Sequence, residues 1–273
     1  MRTLAVVVVF LLAGLTCYAV KPLRYFFTGL AGWGNAAVIV APDGWLFPRR
    51  ESDPAAQAPA TPLRDTVAAL KSHGAAVVVV SIPAKSAVYP EKLGAGSGEL
   101  KRHPAVTAAL QEVTAAGAVL VDLGPVLHGL KASQGSSGPV FSPHSSLWSP
   151  RAMQEGASAA ALAVQQLPGF AALPLQPSLA VMQKDKGAAT MEDLVTALHY
   201  NRVQQHYPAK EVDLIRLVSS GKREPLCSDP ASPVTLLGGD AVALYDDPAL
   251  GHPAKSAAGQ SSSAGFAQYL AWH

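Results

Sequence analysis

Residues 75–82 read Ala-Ala-Val-Val-Val-Val-Ser-Ile, an almost unbroken apolar run. A strand that is buried on both faces of a parallel sheet is typically this apolar. The preceding segment, residues 61–73, predicts a helix because it begins with a Thr-Pro pair that suits an N-cap and first helical position. A second predicted helix at about residues 104–116 leads into a second apolar run at residues 118–123. This order of strand, helix and strand favours an α/β fold with a doubly wound, mostly parallel sheet and flanking helices.

Further segments complete this outline. Residues 36–47 predict a hairpin with an Asp-Gly pair at its turn. Residues 167–190 contain several prolines and predict irregular chain. The other predicted elements are a helix at residues 150–166, a helix at residues 191–207, a third buried strand at residues 234–238 and a short terminal helix at residues 266–273.

The N-terminus predicts export. Arg2 precedes an apolar run over residues 4–20, which is at the short end for a membrane span of about 20 residues. The run is also long for the core of a signal peptide, and residues 17–19 form a poor cleavage site. We therefore favour an uncleaved signal anchor in residues 1–24 over a cleaved signal peptide. On this interpretation residues 25–273 form one periplasmic domain that is held at the inner membrane.

Composition and charge exclude several classes of protein. Hydrophobic residues make up 49% of the 273 residues and charged residues 15%, which excludes wholesale disorder. A net charge of +2 gives no indication of nucleic-acid binding, and no pattern predicts a cofactor. His199 and His206 are seven positions apart and lie near one face of a predicted helix. We interpret this face as solvated rather than as a metal site, because a metal site needs three or four converging ligands. Cys227 is the only thiol outside the anchor, so the exported domain cannot form an internal disulfide.

Four sequence blocks follow one another along the chain. They are Asp-Gly-Trp-Leu-Phe at residues 43–47, Ile-Pro-Ala-Lys-Ser-Ala-Val-Tyr-Pro-Glu at residues 82–91, His-Ser-Ser-Leu-Trp-Ser-Pro at residues 144–150, and Leu-Leu-Gly-Gly-Asp at residues 236–240. In content and order they resemble the alginate O-acetyltransferase family of the AlgX/AlgJ type, which is SGNH-hydrolase-like. The resemblance covers roughly residues 36–245 and implies an SGNH-like fold for the exported domain.

The resemblance also implies a Ser-His-Asp triad, and the chain departs from it at all three positions. Acyl transfer through serine needs a hydroxyl beside a base, a carboxylate that orients the base, and donors for the oxyanion. Where the family has its acid, base and nucleophile, this chain has Ser145, Leu147 and Asp240. Leucine cannot accept a proton, so no general base stands at that position. The sequence therefore predicts a catalytically degenerate member of the family.

The function that the resemblance implies is a role in exopolysaccharide O-acetylation, of alginate or of cellulose, beside a membrane-bound O-acyltransferase. We expect a periplasmic binding or assembly subunit in which Lys85, Tyr89 and Trp148 contact the polysaccharide. Lys85 follows the carboxyl end of a predicted parallel strand, where α/β folds bind ligands, and the aromatic faces suit sugar rings.

Two alternatives remain open. His144 could join nearby serines and Asp240 in a relocated triad, because triads are defined by geometry rather than by sequence position. The chain would then be an active polysaccharide O-acetyltransferase or acetylesterase. The other alternative is an envelope scaffold without polysaccharide contact.

Overall fold

The computed structural model describes residues 35, 37–52, 61–94, 96, 98–133, 138–173, 180–198, 207–222, 224–226, 231–257 and 261–273. The predicted anchor, Cys227 and the pair of His199 and His206 lie outside these residues. Across the described ranges no helix has both the length and the apolar character to cross a membrane.

The predicted hairpin is confirmed. Strands β1 (Val38–Val40) and β2 (Leu46–Pro48) pair antiparallel, with Val38 opposite Pro48. Gly44 lies at the turn with a φ of 87°, a left-handed conformation that glycine adopts without a steric penalty. All three residues of β2 are buried, so the hairpin presents one strand to the interior of the protein. A 3₁₀ turn over Arg49–Ser52 follows.

The predicted parallel unit is also confirmed. Strands β3 (Val78–Ser81) and β4 (Val119–Asp122) pair in parallel, with Val78 opposite Val119. The helices that precede them, α1 (Thr61–Ser72) and α3 (Pro104–Ala115), pack on each other. The short helix α2 (Lys85–Val88) and a 3₁₀ turn over Pro90–Leu93 follow β3.

Helices cover both faces of β3. Val77 and Val79 pack in a small cluster with the buried residues Val67 of α1 and Val113 of α3. Val80 instead packs against the main core, because successive side chains of a strand point to opposite faces. Two further helices, α4 (Leu123–Ala132) and α5 (Pro150–Gln165), enclose this core from the other side.

Two predictions about the remaining sheet are wrong. Residues 234–238 form no strand, and Leu237 is 77% exposed. Residues 180–190 are not irregular but form β5 (Ala180–Thr190), which pairs antiparallel with β6 (Lys210–Ser219). The described chain therefore contains three two-stranded sheets, of which one is parallel and two are antiparallel. The predicted mostly parallel sheet is not seen in this part of the chain.

Short helices complete the fold. Helix α6 (Asp193–Ala197) occupies a small part of the predicted helix at residues 191–207, of which residues 199–206 lie outside the described residues. Helix α7 (Asp240–Ala243) comes shortly after residues 234–238. Helix α8 (Phe266–Trp272) confirms the predicted terminal helix and packs on α5. Further 3₁₀ turns of the described chain lie at Phe170–Ala172, Pro248–Leu250 and Lys255–Ala257.

Candidate functional site

Most of the third sequence block, residues 144–150, lies in a closed loop over residues 141–148, which we call the 141–148 loop. An isolated antiparallel bridge joins Phe141 to Trp148 at its base, and the Ser149 amide donates to the Val140 carbonyl over 2.7 Å. Ser149 then caps α5, because its hydroxyl accepts a hydrogen bond from the Ala152 amide at 3.3 Å. The Ser-Pro pair of the block thus fixes the point at which the loop becomes a helix.

Trp148 connects this loop to the fourth sequence block. Its indole nitrogen donates to the Ala241 carbonyl at 2.9 Å, and the Tyr245 hydroxyl donates to the Trp148 carbonyl at 2.9 Å. The indole ring stacks on Phe266 with 5.9 Å between the ring centroids. Trp148 is 1% exposed, so it supports the site from within and has no open face on which a sugar could stack.

The three positions at which the sequence resemblance predicts the triad lie in unlike surroundings. Ser145 is buried, and its hydroxyl accepts a hydrogen bond from the Leu147 amide of the same loop at 3.0 Å. The Leu147 side chain packs against the main core. Asp240 is exposed at the start of α7, next to Ala241. The structure thus brings the two segments together but places no proton acceptor at position 147.

Lys85 lies beneath the 141–148 loop and is fully buried. Its ammonium nitrogen donates to four main-chain carbonyl oxygens: those of Leu46 at 2.7 Å, Ser142 at 2.6 Å, Pro143 at 3.0 Å and Ser145 at 2.9 Å. In this arrangement the ammonium group has no surface that a ligand could reach, so the geometry gives no support to the predicted polysaccharide contact.

The surroundings of Lys85 are aromatic as well as polar. The ammonium nitrogen lies 5.1 Å from the ring centroid of Trp45 and 5.0 Å from that of Phe47, within the range of cation–π attraction. Burial lowers the pKa of Lys85 to about 7, although the carboxylates of Glu51 and Glu192 act in the opposite direction. The four carbonyl acceptors favour the charged form.

Tyr89, the third predicted polysaccharide contact, is also buried, at 3% exposure. Its hydroxyl accepts a hydrogen bond from the Val140 amide at 3.0 Å. The Lys131 ammonium lies 4.7 Å from the centre of its ring, and Trp45 tilts against it at 4.7 Å between centroids. Tyr89 therefore holds the start of the 141–148 loop, and its ring has no open face for a sugar.

Glu192 is a functional candidate that the sequence analysis did not single out. It is 6% exposed and accepts a hydrogen bond from the Ser142 hydroxyl. His144 Nδ1 lies 3.2 Å from its carboxylate and Lys210 Nζ 3.6 Å. We call Ser142, His144, Glu192 and Lys210 the Glu192 cluster. Because residue 192 follows the loop by nearly fifty positions, the sequence carries no local signal of this contact.

Hydrogen bonds and charge decide the protonation of the Glu192 cluster. Burial by itself would raise the pKa of Glu192, but hydrogen bonds from His144 and Ser142 and the charge of Lys210 outweigh burial and lower it to about 2. For His144, in contrast, burial lowers the pKa, because it disfavours the charged imidazolium. The carboxylate is therefore ionised at neutral pH.

The contact of His144 with a carboxylate is the arrangement in which a histidine acts as a base. Here the Lys210 ammonium lies 3.1 Å from the same Nδ1 atom and competes with the carboxylate for it. The ring edge of His144 also meets Tyr207, with 4.5 Å between centroids. The partner of His144 is thus Glu192 rather than the predicted Asp240.

Asp193 extends the attachment of the loop. Its carboxylate accepts hydrogen bonds from the Ser146 amide at 3.0 Å and from the Ser146 hydroxyl. Glu192 and Asp193 therefore hold the loop from one side, while Lys85 holds it from beneath. Among the residues that the structure describes, no group of three or more His, Cys, Asp and Glu side chains could bind a metal ion.

Comparison with known proteins identifies related folds. The model of the family described as SGNH hydrolase-like domain, acetyltransferase AlgX, matches residues 38–271. The O-acetyltransferase domain of Pseudomonas putida AlgJ aligns with a TM-score of 0.52 and 23% identity, over 68% of this chain and 66% of that chain. Pseudomonas aeruginosa AlgX aligns with a TM-score of 0.51 and 19% identity, over 75% of this chain and 48% of that chain. No curated protein matches in sequence.

These likenesses confirm the SGNH-hydrolase-like α/β fold that the sequence blocks predict. Because both sequence identities are below 25%, the two structures support the fold alone. The chain spans less than two thirds of either solved structure.

Proposed function

This chain belongs to the family of the SGNH hydrolase-like domain of the acetyltransferase AlgX, and from that membership we propose that it is a non-catalytic subunit of exopolysaccharide O-acetylation. Its role would be binding or assembly. The polysaccharide and a membrane-bound O-acyltransferase are the partners that we propose. We also propose that residues 4–20 anchor the chain in the inner membrane with the remaining domain in the periplasm.

One observation carries the non-catalytic part of the proposal. The hydrogen bond between Trp148 and Ala241 keeps the two triad-bearing segments in contact, yet the triad positions hold Ser145, Leu147 and Asp240. These three positions could still take part in binding a partner. They could not activate a serine by themselves, because that step needs a base.

The first experiment asks two questions separately: whether O-acetylation of the exopolysaccharide needs the protein, and whether it needs the side chains of Ser145 and Asp240. In the organism that produces the chain, deletion of the gene should lower the acetyl content of the exopolysaccharide. A Ser145→Ala, Asp240→Ala double variant should restore that content to the level of the wild type. An unchanged acetyl content after deletion would contradict the role itself, and failure of the double variant would contradict the non-catalytic assignment.

A second experiment measures turnover directly. The full chain, purified in detergent, is incubated with a chromogenic acetyl ester, with and without an oligosaccharide acceptor. We expect release at the rate of the buffer alone from a sample that is folded by circular dichroism. Turnover above that rate that disappears in His144→Ala would overturn the non-catalytic proposal.

The Glu192 cluster favours one alternative, an acetylesterase that uses His144 as its base. In that reaction His144 would take a proton from water, the hydroxide would attack the ester carbonyl, and the proton would pass to the departing sugar oxygen. The 3.2 Å contact with Glu192 supports it, whereas the Lys210 ammonium at 3.1 Å opposes it. This alternative predicts that Glu192→Gln and His144→Ala both abolish ester turnover while Ser145→Ala does not.

A further inference from the structure

Four main-chain carbonyl oxygens converge on one buried point beneath the 141–148 loop. Leu46 contributes one from β2, and Ser142, Pro143 and Ser145 contribute three from the loop. We infer that this carbonyl cage is a site for a monovalent cation, that the ammonium group of Lys85 is its resident ion, and that this ion fixes the loop onto the hairpin.

The chemistry of the cage is that of a cation site rather than of an ion pair. The four donor–acceptor distances run from 2.6 to 3.0 Å, and an ammonium group has only three protons to share among four acceptors. All the acceptors to which Lys85 is seen to donate in the described structure are carbonyls, so dipoles solvate the charge and no carboxylate neutralises it by a hydrogen bond. Carbonyl rings replace the hydration shell of monovalent cations in the same way.

The cage also explains why a fully buried lysine is tolerated at this position. An isolated ammonium group away from water is strongly disfavoured, but the four carbonyls and the faces of Trp45 and Phe47 replace the lost water. The dependence runs in both directions. Without a cation, the Pro143 and Ser142 carbonyls would keep the bonds that they accept from the amides of Leu46 and Ser145, but the carbonyls of Leu46 and Ser145 would lose the Lys85 donor. A buried acceptor that loses its donor costs free energy.

Phe47 of the hairpin and Phe141 of the loop share the main core, but Lys85 supplies most of the hydrogen bonding between the hairpin and the loop in the described structure. Leu46 donates one main-chain hydrogen bond to the Pro143 carbonyl at 2.8 Å. The Glu192 cluster and Asp193 hold the outer side of the loop. Their connection to the hairpin is indirect, through helix α6, which begins at Asp193 and packs on β2. Removal of the cation should therefore release the loop from β2 and leave the helices in place. This makes Lys85 a positioning residue for the loop.

The test removes the ion and then returns it. Lys85→Ala deletes the side chain beyond Cβ, and n-propylammonium has the same chain length and charge as the deleted group. In Lys85→Ala the amide hydrogens of Leu46 and Leu147 should exchange at least about tenfold faster than in the wild type, while Ala157 in α5 stays protected. Addition of n-propylammonium chloride should restore protection and raise Tm. Equal concentrations of 1-propanol or of sodium chloride should not.

Two further variants keep the inference falsifiable if Lys85→Ala folds poorly. Lys85→Met fills a similar volume without charge and should fold but lose protection at Leu46 and Leu147. Lys92→Ala removes a half-exposed lysine that pairs with Asp43 at 2.6 Å, and it should show neither loop release nor rescue. Full protection in Lys85→Met, or no response of Lys85→Ala to n-propylammonium, would overturn the cation site. Because exchange is read on the loop itself, this outcome is distinct from failure of the proposed function.

Discussion

The indole nitrogen of Trp148 donates a 2.9 Å hydrogen bond to the main-chain carbonyl of Ala241, the residue that follows Asp240. Residues almost a hundred positions apart are thereby joined, and each directly follows a position, 147 or 240, at which the family resemblance predicts a triad residue. On our proposal of a non-catalytic subunit, this contact serves binding or assembly rather than catalysis.

Replacement of Trp148 by Phe should test this bond. The variant removes the indole donor to the partly buried Ala241 carbonyl and replaces the indole that stacks on Phe266 by a smaller ring. We expect the free energy of unfolding to fall by about 1–3 kcal/mol, as measured by urea denaturation. Trp272→Phe, at the partly exposed end of α8, is the matched control and should cost less. Equal losses in the two variants would show that the bond contributes nothing beyond aromatic packing.

Two glycines in helices should respond in opposite directions to substitution by Ala. At Gly156 in α5 a β-carbon would lie 2.9 Å from atoms of both Leu123 and Trp148, so Gly156→Ala should lower stability by about 1–3 kcal/mol through overpacking. At Gly129 in α4 a β-carbon meets nothing within 4 Å. Gly129→Ala should therefore raise stability by about 0.5–1 kcal/mol. Thermal denaturation of both variants checks the pair, and a stabilising Gly156→Ala would refute the close packing of α5 on Trp148.

The ionised state of Glu192 should make the protein sensitive to acid. Its pKa of about 2 in the folded protein lies below the usual value of 4.5, so the folded state binds fewer protons than the unfolded state between these pH values. The stability that Glu192 contributes is thus fully present above about pH 4.5 and is lost as the pH falls toward 2. Urea unfolding measured from pH 6 to pH 3 should show this decline.

Glu192→Gln should remove that part of the pH dependence and lower stability at pH 7 by about 1–3 kcal/mol, because hydrogen bonds to a charged group are lost. Glu155→Gln, an exposed residue of α5, serves as the control and should keep the decline of the wild type. If Glu192→Gln lost stability with acid as steeply as the wild type, the cluster would not be ionised in the way that we describe.

Local patterns predicted the parts of the fold that local physics dictates. The Thr-Pro start of α1, the Ser-Pro start of α5 and the valine run of β3 each correspond to an element in the structure. Strand β5 escaped prediction because exposed polar side chains such as Lys184 and Lys186 alternate with partly buried residues, and only pairing with β6 makes the segment a strand. The prediction of a strand at residues 234–238 was wrong for the converse reason. The segment is apolar enough for a strand, but no strand of the described chain pairs with it.

The site was harder to predict than the fold because burial depends on tertiary contacts. Lys85, Tyr89 and Trp148 have the side chains of ligand contacts, yet each is turned inward to hold the main chain of the 141–148 loop or of α7. Glu192 was missed because its partner His144 is distant in sequence. Only the folded chain shows that the carboxylate nearest to His144 is not Asp240.

The most direct test of a retained frame is to return the catalytic groups to it. A Ser145→Asp, Leu147→His, Asp240→Ser triple variant places the three residue types of a triad at the positions that the resemblance assigns to them. We expect it to hydrolyse a chromogenic acetyl ester at least about tenfold faster than the buffer does, whereas each single variant should not, because triad residues act as a unit.

The Trp148–Ala241 bond is the reason for this expectation, since it joins the residue after Leu147 to the residue after Asp240. Adding Trp148→Phe to the triple variant should therefore reduce the turnover that is gained, while adding Trp272→Phe should not. Circular dichroism must first show that the triple variant is folded, because a histidine at position 147 meets the main core. A folded triple variant without turnover would mean that the two segments touch but no longer hold the geometry of a triad.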